Sequence, residues 1–256
     1  MTLREHLLEF RRRLVISAVA VLVVAIVGFD RYQWIFDQLS RPFADYKRMH
    51  PHSLISLNFA NATAAFSNRV NVAIFVGVLG ASPIWLYQFW AFIVPGLTRR
   101  EKRISLTFVA AIVPLFIAGC WFGYWILPKS LEILYGFTPA GASNIQQTTD
   151  YFTFVMRFIL VFGLASLFPV ILVGLNLAHV LPAHLMIRGW RFAVVLIFVF
   201  AAVATPTPDA YTMFLLAGPL LVLYFAAWAV AWLLDRRRAK RRPEWLEVAD
   251  DEASTI

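Results

Sequence analysis

Residues 151–178 read YFTFVMRFILVFGLASLFPVILVGLNLA and contain one charged side chain, Arg157. A membrane-spanning helix needs about 20 residues of this kind, because in lipid a backbone must satisfy its own hydrogen bonds. Similar runs recur along the chain, in which 60% of the residues are hydrophobic and 15% are charged. A water-soluble domain of this composition would have too little polar surface, so the sequence predicts an integral membrane protein.

Six apolar runs have the composition of a span, which predicts an all-α integral membrane protein with a bundle of six transmembrane helices. The fifth run is shorter than the lower limit of about 17 residues, so it either tilts little, borrows flanking residues or thins the bilayer. Residues 1–242 would form this domain, followed by an acidic, disordered tail over 243–256. The predicted spans are residues 14–29, 70–94, 104–127, 151–178, 192–204 and 210–234.

Prolines and small residues shape the predicted spans. A proline lacks a backbone donor and favours a kink, so kinked helices are expected. Gly119 and Gly123 form a small-xxx-small pair that lets a neighbouring helix approach closely, and packing is the preferred interpretation of this pair. The prolines inside or beside the spans are Pro83, Pro95, Pro114, Pro128, Pro169 and Pro219.

Basic residues are distributed unevenly between the two sides of the predicted bundle. The segments on the side of both termini carry sixteen lysines and arginines, and the opposite segments carry six over a greater length. Short cytoplasmic segments are enriched in these residues, so both termini are predicted to be cytoplasmic. The net charge of +8 mainly reflects this bias and does not indicate nucleic acid binding.

Signatures of enzymes are missing from the sequence. It contains no HExxH or GxSxG motif, and its histidines all fall outside the apolar runs. The single cysteine, Cys120, lies within a span, so no intramolecular disulfide is expected. A small-solute transporter or channel would need a polar path through the membrane, for which the chain offers little beyond Arg157, Ser166 and Asn176.

Two acidic residues lie in basic surroundings on the predicted cytoplasmic side. Glu9 follows a capping box at residues 2–5, on a helix whose leucines and Phe10 form an apolar stripe. Glu101 lies in the short basic segment 98–103. A local ion pair, such as Glu9 with Arg13, is the simpler interpretation from spacing alone, and is worth a few tenths of a kcal/mol.

Four segments resemble the TatC family, the multi-spanning receptor subunit of the bacterial twin-arginine protein translocase. HLLEFRRR at 6–13 is similar to the family pattern HLxELRxR, and SPIWLYQFWAFIVPGL at 82–97 is similar to SPxxxYQxWxFxxPGL. REKR at 100–103 takes the place of an ERR-like loop, and TPTPD at 205–209 resembles the outer TPxxD turn. The second pattern is highly specific, and the four matches occur in the family's order.

The resemblance implies a glove-shaped bundle that binds signal peptides bearing two consecutive arginines, without a cofactor. In the family, positions matching Glu9 and Glu101 form the recognition patch, and Arg11, Phe92 and Arg103 lie at neighbouring motif positions. Guanidinium groups bind carboxylates in bidentate, charge-assisted pairs that lysine reproduces poorly. Recognition of an Arg-Arg pair by two carboxylates is therefore chemically reasonable.

The resemblance also implies partners in the bacterial cytoplasmic membrane. A single-span TatB-type subunit would dock near the fifth span, TatA-type subunits would assemble later, and the proton gradient would drive transport of folded cargo. A homo-oligomer together with these subunits is expected. Positions implied for partner contact or translocation are Pro83, Gln88, Thr205, Asp209 and Met213.

The chain departs from the family at two positions inside the membrane. Leu167 stands where the family usually has a glutamate shortly before a proline in the fourth span. Phe225 stands where the family often has a glutamate after a tyrosine in the sixth span. Any role of those carboxylates in contacting the signal or a partner is therefore in doubt for this chain.

Overall fold

The computed structural model describes residues 3–51, 55–93, 99–139, 144–177, 180–204 and 210–239. In chain order the elements are α1 (Leu3–Asp30), α2 (Tyr32–Met49), β1 (Ile55–Asn58), α3 (Ala62–Gly80), α4 (Ser82–Ile93), α5 (Arg99–Gly136), β2 (Asn144–Gln147), α6 (Thr148–Ala165), α7 (Phe168–Leu177), α8 (Ala183–Arg188), α9 (Trp190–Ala204) and α10 (Ala210–Ala239).

Five segments of the described chain are long and apolar enough to cross a membrane. The sixth, α9, has 15 residues and therefore spans only about 22 Å, against about 30 Å of hydrocarbon. The predicted all-helical membrane fold is confirmed. The short helix α9 corresponds to the fifth predicted span, residues 192–204. The five segments are Arg4–Asp30, Ala62–Gly80, Ala110–Gly136, Thr148–Leu177 and Ala210–Arg238.

The second span differs from the continuous helix expected over 70–94. It begins earlier, at Ala62, because the Asn61 side chain caps the helix by accepting a 2.7 Å hydrogen bond from the Ala64 amide. It ends at Gly80, because Pro83 has no amide to continue the ladder. The indole of Trp85 donates to the Val78 carbonyl at 2.9 Å across the break, and the chain continues as the separate helix α4.

The third and fourth spans pack closely on each other. The helix α5 is continuous although it contains Pro114 and Pro128. The fourth span, in contrast, is interrupted between α6 and α7, where Pro169 lacks a backbone donor. A Cβ on Gly119 would lie 2.7 Å from the Phe162 carbonyl, so the predicted close approach at this glycine is present. The Ser166 hydroxyl at the opening donates to the Leu115 and Gly163 carbonyls at 2.7 and 2.6 Å.

At the end of the bundle opposite the start of α1, two features cover the helices. The amphipathic helix α2 buries Leu39 and Phe43, and the Tyr151 hydroxyl donates to the Leu39 carbonyl at 2.9 Å. The strands β1 and β2 form a parallel pair in the register Ile55↔Asn144, which the sequence analysis did not anticipate. The predicted tail over 243–256 lies outside the described residues, which end with α10 at Ala239.

Candidate functional site

The first turns of α1 and the helix α4 pack together and form a small polar cluster. Arg13 lies one turn after Glu9, and its Nε and Nη2 atoms donate to Glu9 Oε1 at 3.0 and 2.6 Å. The third guanidinium nitrogen, Nη1, donates to Gln88 Oε1 on α4 at 3.1 Å. The simple ion pair between Glu9 and Arg13 is therefore present, and Gln88 ties it to a second helix.

The other carboxylate oxygen of Glu9 is the distinctive atom of this cluster. Oε2 is buried and accepts no hydrogen bond from the part of the chain that the structure describes. A buried acceptor without a donor costs about 1–3 kcal/mol, more for a charged group. The Glu9 side chain as a whole is 25% exposed although Oε2 itself is buried, so a donor from another molecule would reach Oε2 only after neighbouring side chains shift.

Aromatic rings form the wall beside the cluster. Phe92, in the last turn of α4, stacks on His6 with a ring separation of 4.5 Å and contacts Phe10 at 5.1 Å. A cavity of about 200 Å³ lies next to these rings and is also lined by Arg13 and Gln88. The arrangement offers a carboxylate oxygen and flat apolar surface to a planar cation.

Comparisons with known proteins identify the family over most of the chain. The family described as "Sec-independent protein translocase protein (TatC)" matches residues 5–219. The chain belongs to the TatC family. The TatC protein of Xylanimonas cellulosilytica is 46% identical over 241 residues, which cover 94% of this chain and 87% of that protein. The TatC protein of Aquifex aeolicus is 32% identical over 241 residues, with coverages of 93% and 98%.

A solved structure agrees with this membership. A crystal structure of the twin-arginine translocase receptor TatC in DDM superposes with a TM-score of 0.76, at 31% identity, covering 88% of this chain and 99% of that one. The predicted role as a receptor subunit of the twin-arginine translocase is confirmed, as is the prediction that the chain is not an enzyme. The prediction of a multi-pass membrane protein is confirmed as well.

The structure places the predicted recognition residues of this TatC-family chain only in part. Glu9 and Phe92 lie in the cluster, and Arg11 lies between Phe10 and Arg13 on α1 with an exposed side chain. Glu101 and Arg103 lie in the first two turns of α5, but their side chains fall outside the described residues. Sequence reasoning missed Trp85 and His6, whose rings wall the site, because contacts between α1 and α4 leave no local pattern.

Residues predicted for partner contact or translocation are dispersed. Gln88 binds Arg13 within the cluster, while Pro83 lies in the first turn of α4 at the helix break. Met213 is partly buried in α10, where it packs against the core. Thr205 and Asp209 lie outside the described residues.

The two positions at which the family usually has a glutamate, Leu167 and Phe225, have apolar surroundings. Leu167 packs against the core at the opening between α6 and α7, and the Phe225 ring meets Tyr224 edge-on at 5.4 Å. An apolar cavity of about 460 Å³ lies between α5, α6 and α10, near Ser166. Within the described ranges, no group of three acidic, histidine or cysteine side chains could hold a metal ion.

Proposed function

We propose that the cluster of Glu9, Arg13, Gln88 and Phe92 receives one arginine of an Arg-Arg signal peptide. The observation that carries this proposal is the buried Oε2 atom of Glu9, which accepts no hydrogen bond from the described residues. A signal arginine would donate to Oε2 while Arg13 keeps Oε1, so one carboxylate would bind two guanidinium groups. The chain would thereby act as the receptor for twin-arginine cargo.

The shape and weaker hydration of the guanidinium group favour arginine over lysine at this position. A guanidinium group is planar, donates in a fixed fork and stacks on aromatic rings, whereas an ammonium group is a compact, strongly hydrated point charge. The rings of Phe10 and Phe92, 5.1 Å apart, provide such a stacking surface beside Glu9. Exchange of Arg-Arg for Lys-Lys should therefore weaken binding although the charge is unchanged.

The second arginine would bind Glu101. This residue is the third of α5, where an acidic side chain also favours the helix dipole. Five residues connect the end of α4, which carries Phe92, to the start of α5, so both candidate acids lie at the same end of the bundle. Arg11 and Arg103 are proposed to shape the patch and to restrict how the signal peptide enters.

This end of the bundle is proposed to face the cytoplasm of a bacterial cell, with both termini on that side. The excess of lysine and arginine on the same side supports the orientation. In this arrangement the exposed face of α1, which includes Leu7 and Leu14, would lie along the membrane near the recognition patch. The apolar stretch of a bound signal peptide would enter the bilayer there.

Single-span TatA-type and TatB-type subunits are the proposed protein partners, with transport driven by the proton gradient. The helix α9 is the proposed docking place for the TatB-type subunit. Its outward side chains Phe192, Val195 and Val203 are 73%, 60% and 83% exposed, so it offers a broad apolar face to another helix. Pro83, Thr205, Asp209 and Met213 are proposed to contribute to partner contact or translocation.

Site-directed crosslinking in membranes tests the recognition site. A signal peptide bearing Arg-Arg should crosslink to the unaltered protein, and its Lys-Lys variant should crosslink at least tenfold less. Glu9→Gln and Glu101→Gln should each reduce the Arg-Arg crosslink to the Lys-Lys level. Glu132→Gln is the matched control, because Glu132 pairs with Lys129 at 2.8 Å at the opposite end of the bundle.

Two results would contradict the proposal. Equal crosslinking of the Arg-Arg and Lys-Lys peptides would show that this chain does not discriminate the arginine pair. An undiminished Arg-Arg crosslink in Glu9→Gln would show that another residue receives the arginine. Unchanged protein levels of each variant in the membrane would establish that the effect lies in recognition.

A further inference from the structure

The exposed stripe of α6 carries two charges before it becomes apolar. Asp150, Arg157 and Leu164 are all exposed, and each is seven residues, or about two turns, from the next. The three side chains therefore lie along one face of the helix. Thr153 and Phe154, which are partly buried, lie between the two charged residues.

Neither charge is neutralised by the part of the chain that the structure describes. Asp150 and Arg157 form no hydrogen bond or ion pair with any residue that the structure describes. Arg157 lies nine residues into the span Thr148–Leu177, about 13 Å along the axis from its start. An arginine inside a span is costly unless it pairs or reaches the interface, so an unpaired one indicates a ligand or a headgroup.

A cavity of about 650 Å³ lies directly against these two residues. It is enclosed by the end of α5, the strand β2 and the first half of α6. Leu131, Leu134 and Phe154 form an apolar wall, and the amide side chains of Asn144, Gln146 and Gln147 add polar groups near the helix start. The cavity is thus amphipathic: Asp150 and the amide side chains lie near the end of the bundle, the apolar wall lies beside them, and Arg157 is the deepest polar group.

We propose that this cavity binds one phospholipid with an amine headgroup, drawn from the surrounding leaflet. The phosphate would accept hydrogen bonds from the Arg157 guanidinium, whose long side chain can rise toward the interface. The ammonium group, which lies farther from the hydrocarbon than the phosphate, would meet Asp150 near the helix start. An acyl chain would leave the cavity beside Arg157 and run along the exposed apolar face of α6 at Leu164. The apolar wall of the cavity would contact the glycerol backbone of the lipid.

The order of the charges selects this class of lipid. A phospholipid with an uncharged headgroup would satisfy Arg157 but would bring its phosphate charge near Asp150 without a cation to balance it. A lipid with a quaternary ammonium could pair with Asp150 electrostatically but could not donate a hydrogen bond to it. The site is separate from Glu9 and Gln88, which lie at the opposite end of the bundle, and does not depend on the proposed signal recognition.

Native mass spectrometry of the purified protein, titrated with single lipids, tests this site. Phosphatidylethanolamine should remain bound at one molecule per chain, more tightly than phosphatidylglycerol or phosphatidylcholine of the same acyl chains. Arg157→Gln should weaken this binding about tenfold or more, and Arg157→Lys should retain most of it. Asp150→Asn should remove the preference for the amine headgroup while leaving phosphate binding in place.

Arg41→Gln is the matched control, because Arg41 is also exposed at the same end of the bundle but does not line the cavity. It should leave the bound lipid unchanged. An unaltered lipid affinity in Arg157→Gln, or an equal loss in Arg41→Gln, would overturn the proposal. Competition by inorganic phosphate, or loss of the lipid when partner subunits crosslink to position 157, would also overturn it in favour of a free anion or a protein contact.

Discussion

Two carboxylates at the same end of the bundle are each paired with an arginine on their own helix, yet they differ in how fully they are bonded. Asp235, near the end of α10, accepts from Asn176 Nδ2 at 3.1 Å on each oxygen and from the Ala183 amide at 2.9 Å. It also lies 3.4 Å from Arg238. Glu9 in α1 uses one oxygen for Arg13 and, among the residues that the structure describes, finds no donor for the other.

The difference separates a structural acid from a candidate binding acid. Asp235 caps the start of α8, and Arg238 donates to the Asn176 carbonyl at 3.1 Å, so this cluster holds α7, α8 and α10 together. Glu9 is tied to α4 only indirectly, through Arg13 and Gln88. A fully bonded carboxylate therefore stabilises the fold here, while the incompletely bonded one is the acid proposed to bind the signal arginine.

Removal of Asp235 should have the largest effect on stability. Asp235→Ala leaves the Ala183 N–H without its acceptor, removes the ion pair with Arg238 and leaves the Asn176 amide only the Leu181 carbonyl at 3.2 Å, which should lower the free energy of unfolding by about 3 kcal/mol. Unfolding of the purified protein in detergent measures this loss. Asp37→Ala is the control, because Asp37 accepts one exposed hydrogen bond from Gln33 at 3.3 Å and should change stability by about 0.5 kcal/mol or less.

A smaller loss is expected from the partner amide. Asn176→Leu keeps the volume of this buried side chain but removes both donations to Asp235, so stability should fall by about 1.5 kcal/mol. The same unfolding measurement applies, and the double variant with Asp235→Ala should lose less than the sum of the two. Additive losses would mean that the two side chains do not act together, and the contrast with Glu9 would lose its basis.

The smallest expected effect concerns Arg13. Arg13→Gln removes the part-buried ion pair with Glu9 and the hydrogen bond to Gln88, so stability should fall by about 1 kcal/mol. Affinity for an Arg-Arg signal peptide should rise about twofold, since the peptide no longer shares Glu9 with an internal arginine. Fluorescence titration with a labelled peptide measures this, and a drop in affinity would show that Arg13 positions Glu9 for binding.

The sequence predicted the membrane fold well because the length of an apolar run is a local property. The run at 151–178 carries one charge, and the structure has one apolar segment long enough to span there, Thr148–Leu177, although it is interrupted between α6 and α7. The run at 70–94 was equally apolar, but Pro83 and the indole of Trp85 divide it into α3 and α4. Hydropathy alone does not register where the hydrogen-bond ladder is interrupted.

The polar contacts across the bundle were less predictable. Asn176 and Ser166 were the possible polar path of a channel, but Asn176 binds Asp235 and Ser166 donates to backbone carbonyls within the bundle. Glu9 and Phe92 were identified by their resemblance to family motifs, whereas the contact of Arg13 with Gln88 joins residues 75 positions apart. Such pairings depend on helix packing, which a single sequence does not encode as a pattern.

The pairing of β1 with β2 has a consequence for the order in which the chain is completed. β1 is synthesised about 90 residues before β2, which corresponds to a delay of about 5–20 s at ordinary rates of translation. During that interval the backbone groups of Ile55–Asn58 have no strand partner, since a parallel pair cannot close through a tight turn. The segment that carries β1 is therefore completed only after α5 has been synthesised, and a ribosome-bound chain ending at Gly136 would still present an open strand edge.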